Sequence, residues 1–232
     1  MNTDDYFAWR NVSADIYLES DIPAYLKPIL NNTELRVLDF GCGYGQLLLA
    51  LKRRGFSHIE GADVNAAAIG HARNQELVVH DVTNGDAFYS QKKAQFDYVV
   101  MSHVLEHFRK EEIIPQLRRI RELLDDDGGL IVMVPNAQSH TGCYWAYEDF
   151  THNTLFTAGS LYYVLKAAGF SSVEFIDVDC TAGARARQRI ARRFWLSIYR
   201  ANIHFWNWVT ASSFHRPSAQ IFSFEIKALA RG

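Results

Sequence analysis

The sequence predicts an α/β protein built on a doubly wound, mostly parallel sheet, and three observations predict it. Short β-prone apolar runs alternate with amphipathic helical segments from Arg36 to Val134. The first run, Val37-Leu-Asp-Phe40, stops at Gly41-Cys-Gly-Tyr-Gly45, and from Gln46 the pattern Leu47, Leu48, Leu49, Leu51 opens a buried helix. Acids then recur at the ends of later runs, at Asp63 and Asp81, where right-handed crossovers bring them to the same carboxyl edge as the glycines.

Taken in order, Asp5 to Leu30 sets Tyr6, Phe7, Trp9, Tyr17, Leu18, Ile22, Tyr25, Leu26 and Ile29 among charges, which predicts one or two amphipathic helices broken near Pro23 and Pro28 and lying as a cover over the first strand. Asn31-Asn-Thr33 turns into strand one, Arg36 to Phe40. The helix after the glycine turn runs to about Arg54, where Gly55 suits a left-handed C′ residue and Lys52, Arg53 and Arg54 meet the negative end of the dipole. Strand two, His58 to Val64, leads through the N-cap Asn65 into a helix ending near Arg73. A short strand, Glu76 to Val79, precedes His80-Asp81-Val82, and the polar stretch Asn84 to Lys93 reads as a short helix and loop. Phe96 to Met101 is strand four, Glu111 to Leu124 a helix with Pro115 near its first turn, Asp125 to Gly129 a turn, and Leu130 to Val134 strand five. Thr157 and Ser160 cap the next helix, Leu161 to Ala168.

With 232 residues, 48% of them hydrophobic and 22% charged, the chain suits one globular domain with a sizeable core. A net charge of −2 gives no global attraction to nucleic acid or membrane, so any such contact must be local. Cys42, Cys143 and Cys180 are odd in number and widely spaced, so neither a disulfide framework nor a zinc knuckle is indicated and a reducing cytoplasm fits best. Met1 to Asp5 lacks the basic and apolar regions of a signal peptide, and no uncharged apolar run is long enough to span a membrane.

The carboxyl edge therefore offers Gly41, Gly43, Gly45, Asp63, Asp81 and the segment Ser102 to His107. Asp63, roughly twenty residues beyond the glycines, stands where an adenosine ribose meets a carboxylate in doubly wound folds. Asp81 is placed to accept from the adenine amine. A nicotinamide dehydrogenase would use these groups similarly, but its fingerprint requires glycine where this chain has Gln46. His103-Val-Leu-Glu106-His107 spells H-x-x-E-H, a zinc-peptidase pattern, yet it follows a strand and has no evident downstream carboxylate ligand, so a metal-free site is expected. In the milder reading, Ser102 and His103 border the cofactor while Glu106 and His107 face the acceptor or structural partners.

Val37-Leu-Asp-Phe-Gly-Cys-Gly-Tyr-Gly45, Asp63, Asp81-Val82, Phe96-Asp-Tyr-Val-Val-Met-Ser-His-Val-Leu-Glu-His107 and Leu123-Leu-Asp-Asp-Asp-Gly-Gly-Leu130 together resemble the ordered motifs of the class I S-adenosylmethionine-dependent methyltransferases. The resemblance covers roughly Leu30 to Asp179. It implies S-adenosylmethionine as cofactor, bound by Asp39, Gly41, Gly43, Gly45, Asp63, Val64, Asp81, Val82, Ser102 and His103, with Asp39 near the methionine amino group. It also implies a Rossmann-like sheet of seven strands whose last strand is antiparallel, with Ser171 to Asp179 and Ile221 to Ala230 forming the final hairpin.

Because a sulfonium methyl is already electrophilic, the protein must mainly align the acceptor and exclude water, and a hydroxyl acceptor also needs a base. The aromatic loop Tyr144 to Thr157 supplies His152 as that base, with Asp149 orienting it and Trp145 and Tyr147 to stack on a sugar. Its Asp149-Phe-Thr-His152 and Leu155-Phe-Thr157 segments resemble those of bacterial methyltransferases from surface-polysaccharide pathways. The expected activity is O-methylation of a saccharide hydroxyl or related small metabolite. A small aromatic or quinone-type acceptor and a non-catalytic binding module are the alternatives. Between Asp179 and Glu225 there is no acid, while Arg185, Arg187, Arg189, Arg192, Arg193, Arg200 and Arg216 alternate with aromatics. This predicts a basic-aromatic helix, about Ala186 to Thr210, that meets a membrane surface or anionic glycan, its own domain, or a second subunit. RNA ranks behind these. The organisation expected is a helical cover (1–35), a cofactor-binding core (36–179), an insertion (180–220) and a final strand (221–232), in a cytoplasmic enzyme that can sit peripherally on the inner membrane face.

Overall fold

The computed structural model describes residues 6–13, 21–215 and 218–232. Its centre is a seven-stranded sheet in the order β3-β2-β1-β4-β5-β7-β6. The strands are β1 (Val37–Phe40), β2 (Ile59–Asp63), β3 (Val79–Asp81), β4 (Phe96–Ser102), β5 (Leu124–Pro135), β6 (Ser172–Ile176) and β7 (Glu225–Arg231). Only β7 runs antiparallel, pairing with β5 on one side and β6 on the other, so the mixed, mostly parallel sheet expected from the sequence is the one observed.

Period-two alternation sends side chains to both faces. Leu38, Phe40, Val99, Met101, Leu130, Val132 and Val134 join one apolar layer, while Val37, Val100 and Ile131 join the other. Helices α4 (Asp86–Gln91), α5 (Lys110–Leu123) and α7 (Ala158–Ala168) cover the first layer through Phe88, Ile113, Leu117, Ile120, Leu161 and Leu165. Helices α2 (Gln46–Arg53) and α3 (Ala66–Asn74) cover the opposite face. Asn65 caps α3 by accepting from Ala68 N–H at 2.8 Å, Gly55 takes φ +94° after α2, and Thr157 and Ser160 form a reciprocal capping box on α7.

Several local expectations change. Among the described residues between Asp5 and Leu30 there are one helical turn, α1 (Tyr6–Trp9), and a 3₁₀ stretch, Ala24–Ile29, with Pro28 inside it; the rest of the helices expected there, including Tyr17 and Leu18, falls outside the described residues. Strand β3 begins at Val79 because Glu76 takes a left-handed φ of +57° that breaks extension. Pro115 is the sixth residue of α5, further in than the first turn. The acidic turn before strand five is absorbed into β5: pairing jumps from Phe96 with Leu124 to Tyr98 with Gly129, so the ladder bulges and Asp125 reaches Arg36 at 2.7 Å. Part of the aromatic loop is helical, α6 (Gly142–Glu148). The insertion forms α8 (Ala186–Val209), held through half-buried Leu196, Tyr199, Ile203 and Asn207, whose spacing marks one face of a helix.

Candidate active site

The tips of β1, β2, β3 and β4 meet at one edge, and the glycine turn lies across it. Gly41 has φ +84°, and a Cβ there would overlap the Val104 side chain, so the chain can leave β1 in this direction only without one. Gly43 takes φ +51° beneath the Phe7 ring, and Gly45 (φ +84°) precedes α2. Asp63 accepts from Gly43 N–H at 2.8 Å, from Val64 N–H at 2.8 Å and from Asn65 N–H at 2.9 Å, which locks the turn against the tip of β2. Val64 is exposed beside it. Asp81 pairs in register with Asp63, faces solvent and is held ionised by hydrogen bonds from Thr83, while Val82 N–H donates to the Asp63 carbonyl. Asp39 is 5% exposed, and its carboxyl accepts no hydrogen bond among the described residues. Burial, then the charge of Asp63, pushes its carboxyl up to about 7.

Ser102 ends β4 and shares a 2.8 Å hydrogen bond with Tyr25, which comes from the 3₁₀ stretch beneath. His103 adopts φ +54°, a left-handed conformation rare outside glycine, and this reverses the chain off the strand. Its Nδ1 and Nε2 lie 3.1 Å from Glu106 and 3.1 Å from Glu225 respectively. Burial opposes its charge, but these two carboxylates outweigh it and raise His103 to about 9. The turn Leu105–His107 then buries Glu106 completely. The Glu106 carbonyl accepts from Asn153 N–H (2.8 Å) and Thr154 N–H (3.1 Å), which binds the 149–154 loop to that turn and brings His152 against His107, ring centroids 4.8 Å apart.

His152 keeps only 8% of its side chain exposed. Its Nδ1 stands 2.7 Å from the Trp145 carbonyl, which can only accept, so Nδ1 carries the proton and Nε2 the lone pair. That contact corrects one expectation: Trp145, not Asp149, orients the ring. Asp149 is 3.9 Å from Nε2 and is occupied by Tyr6 Oη, Thr151 and Arg10, the last at 2.7 Å. Burial resists its ionisation, but the hydrogen bonds of Thr151 and Tyr6 prevail and hold it down to about 2.

A cavity of about 290 Å³ opens here, lined by Tyr6, Phe7, Tyr44, His107, Trp145 and His152 among others. Phe7 of α1 packs on Tyr44 of the glycine turn, ring centroids 4.6 Å apart. Tyr6, Arg10 and Glu225 were not singled out as site residues from the sequence; only the density of aromatic and charged residues near the start of the chain pointed to the first two, and nothing local pointed to Glu225.

A family model described as a methyltransferase domain (Methyltransf_23) matches residues 13–174, more than half of the chain. An uncharacterized methyltransferase of Staphylococcus carnosus is 32% identical over 110 residues, 47% of this chain and 51% of that protein. The ubiquinone biosynthesis O-methyltransferase of Azoarcus sp. is 34% identical over 82 residues, 33% of this chain and 35% of that protein. The chain thus spans about half the length of the first curated relative and about a third of the second. Among solved structures, a SAM-dependent methyltransferase from Archaeoglobus fulgidus has the same fold, with TM-score 0.67 at 20% identity over 99% of this chain and 100% of that one. One from Mesorhizobium loti gives 0.58 at 15% identity over 90% and 98%. The residues present fit the cofactor that this family implies: Asp63 and the exposed Asp81 end β2 and β3 side by side, and the Asp39 carboxyl, without a hydrogen bond among the described residues, suits a cationic group. The chain belongs to the methyltransferase-domain family and has the Rossmann-like fold of the S-adenosylmethionine-dependent methyltransferases.

Proposed function

We propose that the protein O-methylates a hydroxyl of a saccharide or glycan. Asp63 and Asp81 hold the adenosine of the cofactor, the glycine turn passes along it, Asp39 faces the methionine amino group, and Val64, Val82, Ser102 and His103 border it. Bound S-adenosylmethionine supplies a sulfonium methyl whose C–S bond breaks as the C–O bond to the acceptor forms, leaving a neutral thioether. The proton of the acceptor goes to His152 Nε2. The observation that carries this reading is the tautomer of His152, whose Nδ1–H is committed to the Trp145 carbonyl while the ring lines a half-open cavity. Tyr44 and Trp145 offer ring faces for the apolar side of a sugar, and the Asp149-Phe-Thr-His152 segment favours an acceptor from surface-polysaccharide assembly. A small quinone-type acceptor is the second reading, favoured by the likeness to the ubiquinone biosynthesis O-methyltransferase over a third of that protein's length.

Helix α8 supports a peripheral site of action. Ile190, Phe194, Ile198, Phe205, Trp206 and Trp208 are exposed on it, with Arg187, Arg189, Arg192, Arg193 and Arg200 and no acid. In this reading the helix lies on the cytoplasmic face of an anionic membrane and brings the enzyme to a lipid-linked or anionic glycan. A second copy of the chain is the other occupant for that face. No described helix is long and apolar enough to cross a membrane. The first test is calorimetric titration with S-adenosylmethionine, and with NADH as competing adenosine ligand, on the wild type and Asp63→Ala. Micromolar binding lost in the variant supports the cofactor site; NADH binding in its place would sink it. His152→Ala should then lose turnover with saccharide acceptors at unchanged cofactor affinity, and undiminished turnover would remove His152 as base.

A further inference from the structure

Glu106, His107 and His152 place one ligand-type atom each within 4.8 Å of one another. Two of them sit side by side because the chain reverses at His103 and enters a tight 3₁₀ turn. The third is brought over them by the backbone bonds from Asn153 and Thr154 to the Glu106 carbonyl.

The tautomers of both histidines are fixed in the same sense. His152 Nδ1–H is committed to the Trp145 carbonyl. His107 Nδ1 lies 2.8 Å from Thr151 Oγ1, and that hydroxyl spends its own hydrogen on Asp149 Oδ1 at 2.6 Å, so Nδ1 of His107 must donate to it. Each ring is left with an unprotonated Nε2. This is the arrangement that outer-shell acceptors impose on metal-bound imidazoles.

A second, independent observation concerns the carboxylate. Glu106 is 0% exposed, and while its Oε1 faces His103, its Oε2 has no hydrogen-bond partner among the described residues. A fully buried carboxylate oxygen without a donor is costly unless something positive meets it. The His152 Nε2 to Glu106 Oε1 separation of 3.9 Å is close to the roughly 3.4 Å between ligands on a tetrahedral ion with bonds of about 2.1 Å.

We propose that Glu106, His107 and His152 form a binding site for one divalent transition-metal cation on the acceptor side of the cavity. Two imidazole nitrogens and one carboxylate favour zinc, manganese, iron or cobalt over magnesium or calcium, and three protein ligands leave positions open for hydroxyls. An ion held there lowers the pKa of a coordinated hydroxyl, so a vicinal diol would be both oriented and activated. This use of the site rests on the hydroxyl-acceptor reading above and changes one role in it: Nε2 of His152 becomes a ligand, and the hydroxyl proton leaves to solvent water. It also replaces the metal-free site expected from the sequence. In the zinc-peptidase pattern both ligating histidines belong to H-x-x-E-H, whereas here His103 is held between Glu106 and Glu225, and the second imidazole comes from His152, far along the chain.

The test is metal binding by the full chain after dialysis against EDTA. Mn²⁺ is followed by loss of the free-ion electron paramagnetic resonance signal, Co²⁺ by its visible absorption, and Zn²⁺ by calorimetry. The expected result is one ion per chain, a Co²⁺ spectrum typical of four or five coordination, and affinity reduced at least about tenfold in His107→Gln and in Glu106→Gln. S-adenosylmethionine titration of the same variants reports folding, and His107→Gln keeps the test open if Glu106→Gln fails to fold. Absence of stoichiometric binding by all three ions, or binding unchanged in His107→Gln, would overturn the site. Methyl transfer that persists in EDTA and still requires His152 would leave the hydroxyl-transfer reading standing and the metal inference refuted. Ion binding in a chain that methylates no hydroxyl would do the reverse.

Discussion

Asp39 should make both stability and cofactor affinity depend on pH, in opposite senses. Its carboxyl is buried beside Asp63 and raised from 3.8 to about 7. Between those values the native protein keeps a proton that the unfolded chain has released, so stability falls as pH rises through the window. A rise of this size corresponds to about 4 kcal/mol, an upper figure for the penalty once Asp39 is ionised. Urea unfolding of the wild type and Asp39→Asn at about pH 5 and about pH 8 isolates this group from others that titrate. The variant should gain on the wild type between the two conditions by up to about 2.5 kcal/mol, because the window from about pH 5 to about 7 spans roughly two of the three pH units. A cationic cofactor favours the ionised carboxylate, so wild-type affinity should climb up to about tenfold per pH unit to near 7 and then level off. In Asp39→Asn that climb should be absent and affinity at high pH lower. An equal stability difference at both pH values, together with a flat wild-type binding profile, would refute the assignment of Asp39 to the cationic end of the ligand.

Three further expectations follow from named contacts. Gly41→Ala combines a left-handed φ with overlap of Val104 Cγ2, and should cost about 2–4 kcal/mol in thermal unfolding, part of it recovered by adding Val104→Ala. His103, raised to about 9 by Glu106 and Glu225, adds stability that is complete below its unfolded value near 6.5 and is lost as pH rises through about 9. The stability gap between wild type and His103→Gln should therefore shrink between about pH 7 and pH 10, and a constant gap would argue against a charged imidazole. In co-sedimentation with vesicles rich in anionic lipid, the wild type should bind, release with added salt, and bind weakly after Trp206→Ala and Trp208→Ala; salt-independent binding would point away from α8.

The carboxyl edge that gathers the glycines and the two acids was legible in the sequence because its determinants are local. Gly41 to Gly45 must follow β1 directly, and Asp63 and Asp81 must end their strands, so spacing alone aligned them. The acceptor side was legible only in part. His152 and Asp149 were recognised as residue types, but Tyr6 and Asp149 lie 143 positions apart, and His103 and Glu225 lie 122 apart. No periodicity encodes such a pairing; it exists only once the sheet has assembled. Asp149 was consequently read as the partner of His152, when the loop ties it to Tyr6 and Arg10 and gives the ring to a backbone carbonyl. The acidic stretch before β5 was read as a turn because Asp and Gly favour one, whereas tertiary pairing with β4 kept it in the ladder as a bulge. The insertion helix was visible from composition, and the face it buries became clear only from Leu196, Tyr199 and Ile203.

The place of β7 has a consequence for synthesis. The last of the seven strands to leave the ribosome is an interior one, inserted between β5 and β6, and it delivers Glu225 to His103. During translation the cofactor half, β1 to β4, can pair as it emerges, while β5 and β6 present open edges until Arg231 has been added. A nascent chain interrupted within α8 would thus own every glycine and acid of the cofactor edge and still lack the strand that closes its acceptor side.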